Sequence, residues 1–209
     1  MGTKKRKERE REARKNDILE AAKTVFFEKG FHAATMDQIA EAAEFSKGSL
    51  YLYFPSKEEL YVSILVEGLE ILYNMFEKAV KDIGVWEEKI RNIAMAYYGF
   101  YQGNKNYFKI LFLLQHGEIA TKVSDSLFQS CFEKGISCIN FLSRAIQEGM
   151  EEGEIEPSNP MELAVVLWGA FNGIILLYEE EEHRRFIPGS LDNLISKTIE
   201  LLAAGLKKR

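Results

Sequence analysis

The side chains between Ser46 and Lys57 include the donor and apolar groups that proteins use to contact duplex DNA. Lys47 can donate a hydrogen bond to a guanine edge or to a phosphate, and Leu52 can pack against a thymine methyl group. Gly48 has no side chain, so the backbone at that position can approach another molecule closely. The residue types in this stretch are therefore typical of a surface that enters a groove of DNA.

Hydroxyl and ammonium groups in and around this stretch are of the kind that bind phosphates and fix the register of a protein on DNA. Ser46, Tyr53 and Lys57 are the main candidates for such contacts. We predict that the DNA-contacting set consists of Thr35, Ser46, Lys47, Gly48, Ser49, Tyr51, Leu52, Tyr53 and Lys57.

Two short helices are predicted to position these side chains. Thr35 and Gln38 have the spacing of a capping box, which satisfies two amides at the start of a helix. Ser46 is a good N-cap for a second helix, which follows after a short turn. The first helix carries an apolar stripe made of Met36, Ile39, Ala40 and Ala43.

The second helix has one apolar and one polar face. Leu50 and Phe54 lie one turn apart and are predicted to pack on the first helix, which leaves the face of Lys47 outward. Two helices joined by a turn of about three or four residues match the helix-turn-helix motif, whose second helix enters the major groove. The same spacing also fits an ordinary corner between two helices, and spacing alone leaves both interpretations open.

A longer pattern surrounds this motif, in the stretches ILEAAKTVFFEKGFHAATMDQIAEAA and FSKGSLYLYFPSKEEL. Over about Asp17 to Leu60 the chain resembles the N-terminal domain of the TetR/AcrR family of bacterial transcriptional regulators. The sequence departs from the family pattern at Glu44, where the family usually has glycine, and at Phe45, where it usually has a smaller aliphatic residue. If Glu44 adopts a positive φ, we expect a cost on the order of 1 kcal/mol.

The rest of the chain is also predicted to be helical. A scaffold helix is expected over about Asp17 to Lys29. A long helix from about Ser56 to Asp82 leads into the rest of the chain, and the resemblance implies that this helix is a mechanical link between the two parts. Further helices are expected over about Val85 to Gln102, Lys105 to His116, Ser124 to Glu152, Pro160 to Glu182 and Ser190 to Ala204.

The fold class is therefore all-α, and the resemblance implies how the chain is divided. Residues 1–60 are predicted to form a three-helix, helix-turn-helix DNA-binding domain with a basic N-terminal arm. Residues 61–209 are predicted to form a larger, helical domain for ligand binding and dimerisation.

Charge is distributed unevenly along the 209 residues, whose formal net charge is −5. Residues 1–60 hold 12 basic and 11 acidic side chains, whereas the rest hold 15 and 21, so a nucleic-acid contact is expected in the N-terminal part. Residues 4–15 hold eight basic and three acidic side chains. They can form a frayed arm or an extension of the next helix, and partial disorder in the free protein is favoured. In either form we expect them to add salt-sensitive, sequence-independent contacts to phosphates or the minor groove.

Nothing in the sequence points to secretion, membrane insertion or catalysis. The two cysteines, Cys131 and Cys138, lack the spacing of a metal site, and without a secretory signal we expect a cytoplasmic protein. The longest apolar run, Leu163 to Tyr178, is shorter than the roughly 20 residues of a membrane span and is expected to be a buried helix. No nucleophile–base pair, metal cluster or phosphate loop is visible, so we expect no enzymatic activity, no cofactor and no metal.

Aromatic residues are dense between Trp86 and Phe141. Most are expected in the core, but buried tyrosines need a partner for the hydroxyl, and a helical cavity lined by rings with a few hydroxyls is typical of a small-molecule site. The resemblance implies an effector pocket here, and the weakly charged lining suggests a hydrophobic or amphipathic effector. The candidate pocket residues are Tyr97, Tyr98, Tyr101, Phe112, His116, Phe128, Phe132 and Trp168.

The helix expected over 163–178 is apolar almost all round, so it needs partners on more than one side. Gly169 and Gly173 form a pair of small residues that lets another helix approach closely. The alternative is a core within one chain, but the resemblance implies that the last two helices pair with those of a second copy. The predicted homodimer contacts are Val166, Gly169, Ala170, Gly173, Ile174, Leu194 and Leu201.

The function favoured by these patterns is a dimeric, ligand-responsive transcriptional regulator, and family precedent favours a repressor. Two-fold symmetry would place one recognition helix on each half-site of a palindromic operator, about 34–36 Å or a multiple apart. The alternative is a dimeric DNA-binding regulator that answers to a protein partner or to no ligand. An enzyme with a helical active site is the third class, and no catalytic pattern supports it.

Overall fold

The computed structural model describes residues 2–113 and 119–208. Within those residues the chain is helical, with one isolated antiparallel bridge between Ile155 and Lys207 and no strand, so the predicted all-α fold is confirmed. The helices are α1 (Gly2–Ala33), α2 (Met36–Ala42), α3 (Lys47–Tyr51), α4 (Lys57–Val80), α5 (Trp86–Gly103), α6 (Lys105–Leu113), a 3-10 turn (Ala120–Lys122), α7 (Asp125–Glu151), α8 (Pro160–Glu179), α9 (Glu181–Arg184) and α10 (Leu191–Leu206).

Packing divides the chain into two compact units. The first consists of Met1–Leu69 and Asn104–Glu133, and the second of Glu70–Gly103 and Lys134–Arg209. Helices α4 and α7 each contribute residues to both units. This division rests on packing alone, and the functional domains over residues 1–60 and 61–209 stay a prediction.

The N-termini of α2 and α3 form as their capping residues predict. The hydroxyl of Thr35 accepts a bond of 3.3 Å from the Gln38 amide, and the Gln38 side chain accepts one of 3.2 Å from the Thr35 amide. The Ser46 hydroxyl accepts a bond of 3.1 Å from the Ser49 amide. Each bond satisfies an amide that has no partner within its helix, so these residues fix where the two helices begin.

Ser56 and Glu59, at the start of α4, have the spacing of a capping box, but only half of the box forms. The Ser56 hydroxyl accepts a bond of 3.0 Å from the Glu59 amide, as the spacing predicts. The Glu59 carboxylate accepts a bond of 2.6 Å from the amide of Ser124 instead of turning back to Ser56. A contact distant in sequence therefore replaces the local one.

Helix α1 begins at Gly2, so the residues before Asp17 form the helix extension and not the partly disordered arm that the sequence favours. Lysine, arginine, glutamate and alanine are strong helix formers, and Arg6 pairs with Glu10 one turn away at 2.7 Å. The arm therefore continues the scaffold helix without a break. Gly30, with φ of 76°, ends the regular part of α1, and the Phe31 ring folds back so that its centroid lies 6.0 Å from that of the Phe26 ring.

Helix α8 differs from the buried helix expected from its composition. Among the described helices it alone is long and apolar enough to cross a membrane, yet only 22% of its most apolar window is buried. The buried stripe consists of Ala164, Leu167, Phe171 and Ile175. The exposed apolar side chains are Val165, Val166, Leu176 and Leu177. One side of this apolar helix is therefore open in a single chain.

Candidate nucleic-acid interface

Helices α2 and α3 are held together by side chains that are almost completely buried. Ile39 of α2 and Leu50 of α3 are both inaccessible to solvent, and Phe54 just beyond α3 is buried beside them. Glu44, in the turn between the helices, has φ of 57°, so the chain uses a left-handed conformation where the residue is not glycine. The two helices and their turn thus form a fixed corner.

The opposite face of α3 points outward, as the sequence predicts. Lys47, Gly48 and Tyr51 are exposed, and Leu52, at the C-terminal end of the helix, is 79% exposed. An aliphatic side chain this exposed next to a lysine and a bare glycine has no role in the packing of the chain. The arrangement provides one charge, one apolar tip and one close backbone approach on a single short helix.

Lys47 has a partner that its position in the sequence does not reveal. Its ammonium lies 2.6 Å from a carboxylate oxygen of Asp37, in the first turn of α2. The hydrogen bond to Asp37 is the main reason that the pKa of Lys47 is raised above its ordinary value. Lys47 is therefore charged and held over the start of α2 before any other molecule binds.

Some of the hydroxyl groups predicted to contact DNA already form hydrogen bonds at the N-termini of α2 and α3. Thr35 and Ser46 accept the capping bonds described above, and the Ser46 and Ser49 hydroxyls lie 2.8 Å apart. Tyr53 is half-buried, and its ring meets that of Phe45 edge-on with centroids 6.3 Å apart. Tyr53 thus has a fixed position beside the outward face of α3.

The ammonium group of Lys57 binds groups of the protein itself, whereas the sequence predicted that it would contact a phosphate of DNA. Its ammonium donates to the carbonyl oxygens of Phe31 at 2.7 Å and Ala34 at 3.0 Å, and it lies 4.4 Å from the Phe31 ring centroid. Burial lowers the pKa of Lys57; nearby Glu58 opposes this shift and Lys122 adds to it. These contacts make Lys57 a cap for the C-terminal end of α1, where lysine is favoured.

The N-terminal arm, which is the part of α1 before Asp17, lies beside Tyr53. Together they border an open groove of about 870 Å³, lined by Lys5, Glu8, Arg9, Arg11, Glu12, Lys15 and Tyr53. Lys15, near the inner end of the arm, holds its ammonium 5.8 Å from the centroid of the Phe54 ring. The sequence indicated the basic character of the arm. It did not reveal the groove, because the groove exists only where α1 is continuous and passes Tyr53.

The residues predicted to line an effector pocket are divided between the two units. In the second unit Tyr97, Tyr98 and Tyr101 are buried, and the rings of Tyr97 and Trp168 lie with centroids 4.6 Å apart. The hydroxyls of the three tyrosines donate to Asn172, Asp192 and Glu179 respectively.

In the first unit, Phe128 and Phe132 are exposed on α7. His116 and the side chain of Phe112 lie outside the described residues. The part of all these residues in ligand binding stays a prediction.

The residues predicted to form a homodimer lie on the open side of α8 and on α10. Val166 is 59% exposed and Leu201 is 66% exposed, whereas Ala170, Gly173, Ile174 and Leu194 are partly covered. Gly169 is exposed, and a Cβ built on Gly169 or Gly173 would meet no neighbouring atom within 4 Å. Across the described part of the chain, no group of three or more His, Cys, Asp or Glu side chains is placed to hold a metal.

Comparison with known proteins identifies this arrangement of helices. Residues 18–64 match the family model described as "Bacterial regulatory proteins, tetR family". The HTH-type transcriptional regulator YfiR of Bacillus subtilis (strain 168) is 32% identical over 176 residues, which cover 82% of this chain and 84% of YfiR. The fatty acid metabolism regulator protein of the same organism is 25% identical over 196 residues, or 92% of this chain and 95% of that protein.

A solved structure has a similar fold along nearly the whole chain. The transcriptional regulator FadR from Bacillus subtilis, in complex with stearoyl-CoA, superposes with a TM-score of 0.72 at 23% identity and covers 90% of this chain and 97% of its own. These likenesses agree with the helix-turn-helix formed by α2 and α3. The chain belongs to the tetR family of bacterial regulatory proteins, which are DNA-binding regulators of transcription.

Proposed function

We propose that this protein is a homodimeric, cytoplasmic transcriptional repressor that binds a palindromic operator and leaves it when a hydrophobic or amphipathic small molecule binds. The outward face of α3 is the observation that carries the DNA-binding part. Lys47, Gly48, Tyr51 and Leu52 are all exposed there, and Leu52 is exposed to 79%. We assign Lys47 to a base edge, Leu52 to a thymine methyl group, and Tyr53 to a phosphate.

The dimer part of the proposal is supported by the open side of α8. An exposed apolar face on a long helix is costly in water, and a second copy of the same face would cover it. The glycines at 169 and 173 would allow another helix to approach closely, because a Cβ at either position would meet no neighbouring atom of the same chain within 4 Å. A two-fold dimer also provides the pair of recognition helices that a palindrome requires.

The ligand part of the proposal is supported by the similar proteins. The fatty acid metabolism regulator of Bacillus subtilis and the structure of FadR with stearoyl-CoA both connect this architecture with fatty-acid metabolism. Among hydrophobic and amphipathic effectors, we therefore propose long-chain acyl-CoA thioesters as the first class to test. The aromatic residues of α5, together with Trp168, are the candidate lining.

The contacts of α4 suggest how ligand binding would reach the DNA-binding helices. Within the first unit, Lys57 of α4 holds the end of α1, and Glu67 of α4 lies 2.9 Å from Lys23 of α1. A displacement of α4 would therefore pull on α1, the scaffold of the helix-turn-helix. A ligand that binds better when α4 is displaced would shift the population away from DNA binding, with a coupling of about 1–3 kcal/mol.

The first experiment tests sequence-specific DNA binding. Duplexes are selected from a random pool by the protein itself, and binding to a labelled selected duplex is followed by fluorescence anisotropy. Lys47→Ala should cost about 1–3 kcal/mol and relax the preference at one base position. Lys109→Ala, which removes an exposed lysine from α6, is the matched control and should bind like the wild type. An equal loss on a scrambled duplex would show that Lys47 contacts only the backbone.

A second experiment tests the ligand. Stearoyl-CoA, stearate and free CoA are added separately to the complex with the selected duplex, and release of DNA is measured. We expect stearoyl-CoA to release DNA and to raise the thermal midpoint of the free protein, whereas CoA alone should do neither. If none of the three has an effect, the acyl-CoA proposal is wrong. The alternative, control by a protein partner or by no ligand, then becomes the better description.

A further inference from the structure

The groove between the N-terminal arm and Tyr53 is a positively charged surface beside the recognition helix. Its lining includes four basic side chains of the arm, Lys5, Arg9, Arg11 and Lys15. Two acidic side chains, Glu8 and Glu12, also face it, so the cations outnumber the anions by two. The basic side chains project from successive turns of one helix, which places a row of charges along the groove.

The floor of this groove is fixed by the helix-turn-helix itself. Tyr53 follows the exposed Leu52 directly in sequence, and its ring is held edge-on against Phe45. At the inner end of the arm, the ammonium of Lys15 lies over the ring of Phe54. The groove therefore reaches the residue that follows Leu52, and both the groove and α3 belong to the first compact unit.

We propose that this groove is a second DNA-binding site, which takes a sugar–phosphate strand of the duplex beside the bases that α3 reads. The inference rests on the proposed operator binding and adds a contact that the recognition helix alone does not make. A strand of duplex DNA carries one phosphate about every 3.4 Å, so a row of cations on a helix can meet several phosphates in succession. The Tyr53 hydroxyl is a suitable donor to the same strand.

Because the arm is helical, the proposed site is ordered before DNA binds. A disordered basic tail loses conformational freedom when it binds, whereas a helix continuous with α1 is already ordered. Phosphate contacts carry no sequence information, so the groove should strengthen binding to every duplex by the same factor. Removing a contact should also reduce the dependence of binding on salt.

The experiment compares two pairs of basic residues on the same arm. Lys5→Gln/Arg9→Gln removes one lysine and one arginine that line the groove and lie one turn apart. Lys7→Gln/Arg14→Gln removes the same two residue types from another face of the arm, and neither residue lines the groove. The full-length variants are titrated against the selected duplex and against a scrambled duplex at several salt concentrations.

We expect the groove pair to weaken binding to both duplexes about ten- to fiftyfold at about 0.1 M salt, and to reduce the slope of log K against log salt by about 2. The control pair should lower affinity by less than about threefold. If both pairs weaken binding equally, the arm acts as diffuse charge and the groove is not a site. If neither pair weakens binding while Lys47→Ala still loses specificity, the groove proposal is wrong and the proposed function stands.

The acidic residues allow a test with the opposite sign, which loss of folding could not imitate. Glu8→Gln/Glu12→Gln removes two negative charges from the groove and should strengthen binding to both duplexes by about three- to tenfold. Glu10→Gln is the control, because Glu10 pairs with Arg6 and does not line the groove. Unchanged or weaker binding by the double variant would overturn the proposal. Failure of the wild type to prefer its selected duplex would instead contradict the proposed function.

Discussion

The ammonium of Lys23 in α1 lies 2.9 Å from a carboxylate oxygen of Glu67 in α4, and the Tyr107 hydroxyl of α6 donates a bond of 2.8 Å to that same oxygen. Lys23 is only 8% exposed. Burial lowers the pKa of Lys23, but hydrogen bonds to Glu20 and Glu67 outweigh burial, so its pKa is raised. Burial is also the main cause that raises the pKa of Tyr107, to about 12. Three helices of the first unit therefore meet at one carboxylate.

Replacing Lys23 should destabilise the protein through this carboxylate. In Lys23→Met, Glu67 loses its cation but remains partly exposed to water, so we expect a loss of about 1–2 kcal/mol rather than the larger cost of a fully buried charge. Urea unfolding measures the difference. Lys197→Met, which breaks an exposed pair with Glu200, should change stability by less than about 0.5 kcal/mol. Similar losses in the two variants would contradict the assignment.

Gly68 in α4 should tolerate no side chain, because a Cβ there would lie 2.9 Å from Cδ1 of Tyr107. We expect Gly68→Ala to cost about 1–3 kcal/mol, since the ring must move and its bond to Glu67 must lengthen. Gly99→Ala in α5 is the control; its nearest neighbour would lie at 3.7 Å, and better helix propensity should add about 0.5–1 kcal/mol. Removing the ring with Tyr107→Ala should make Gly68→Ala harmless, and persistence of the cost would show another cause.

Lys57 should contribute to stability more than to DNA binding. Lys57→Ala leaves the carbonyls of Phe31 and Ala34 without their donor and removes the cation from the Phe31 ring, which we expect to cost about 1–2 kcal/mol. The salt dependence of DNA binding should stay as in the wild type, in contrast to a variant that loses a phosphate contact. Anisotropy at several salt concentrations, at a temperature where the variant is folded, decides between the two roles.

A substitution at Gly173 should test the proposed dimer without disturbing the fold of the single chain. A Cβ at this position would meet no other atom of its own chain within 4 Å, so we expect Gly173→Leu to fold and to obstruct a partner. We expect sedimentation to show at least a tenfold weaker dimer, and operator binding should weaken with it. Gly135→Leu in α7, which also meets no atom within 4 Å, is the matched control. An intact Gly173→Leu dimer would place the interface elsewhere.

The two cysteines should react slowly with alkylating reagents at neutral pH. Burial raises the pKa of Cys131 to about 11 and that of Cys138 to about 12, because it disfavours the charged thiolate. Only the thiolate reacts, so the rate for Cys131 should rise about tenfold per pH unit from pH 7 to 10, whereas a small thiol levels off near pH 9. Rapid modification of Cys131 at pH 7, by mass spectrometry, would show that it is not shielded.

Local signals predicted the helix-turn-helix well. The caps at Thr35 and Ser46 depend on residues three positions apart, and both form as their spacing indicates. The left-handed conformation at Glu44 was also foreseeable, because the turn requires it whatever residue is present. Replacing Glu44 with glycine would relieve this strain. These features are decided within a few residues, where sequence patterns are informative.

The partners of Lys47 and Lys57 could not be predicted in the same way. Asp37 and the carbonyls at the end of α1 are brought to these lysines only by the packing of three helices. The arm was mispredicted for a different reason. Its charged composition suggests disorder, but its residues are good helix formers that extend a helix already stabilised by the packing of Ile18, Ala22 and Phe26.

The pairing of Lys47 with Asp37 separates the affinity of this regulator for DNA from its preference for one sequence. If Lys47 contacts DNA as proposed, its carboxylate counterion leaves it almost no net charge there, so it should displace few condensed cations from the duplex. Its proposed contribution is geometric, in that it presents a donor at a fixed place for discriminating between bases. Long-range attraction must then come from elsewhere on the molecule, and ionic strength will change how tightly the protein holds DNA far more than which sequence it prefers.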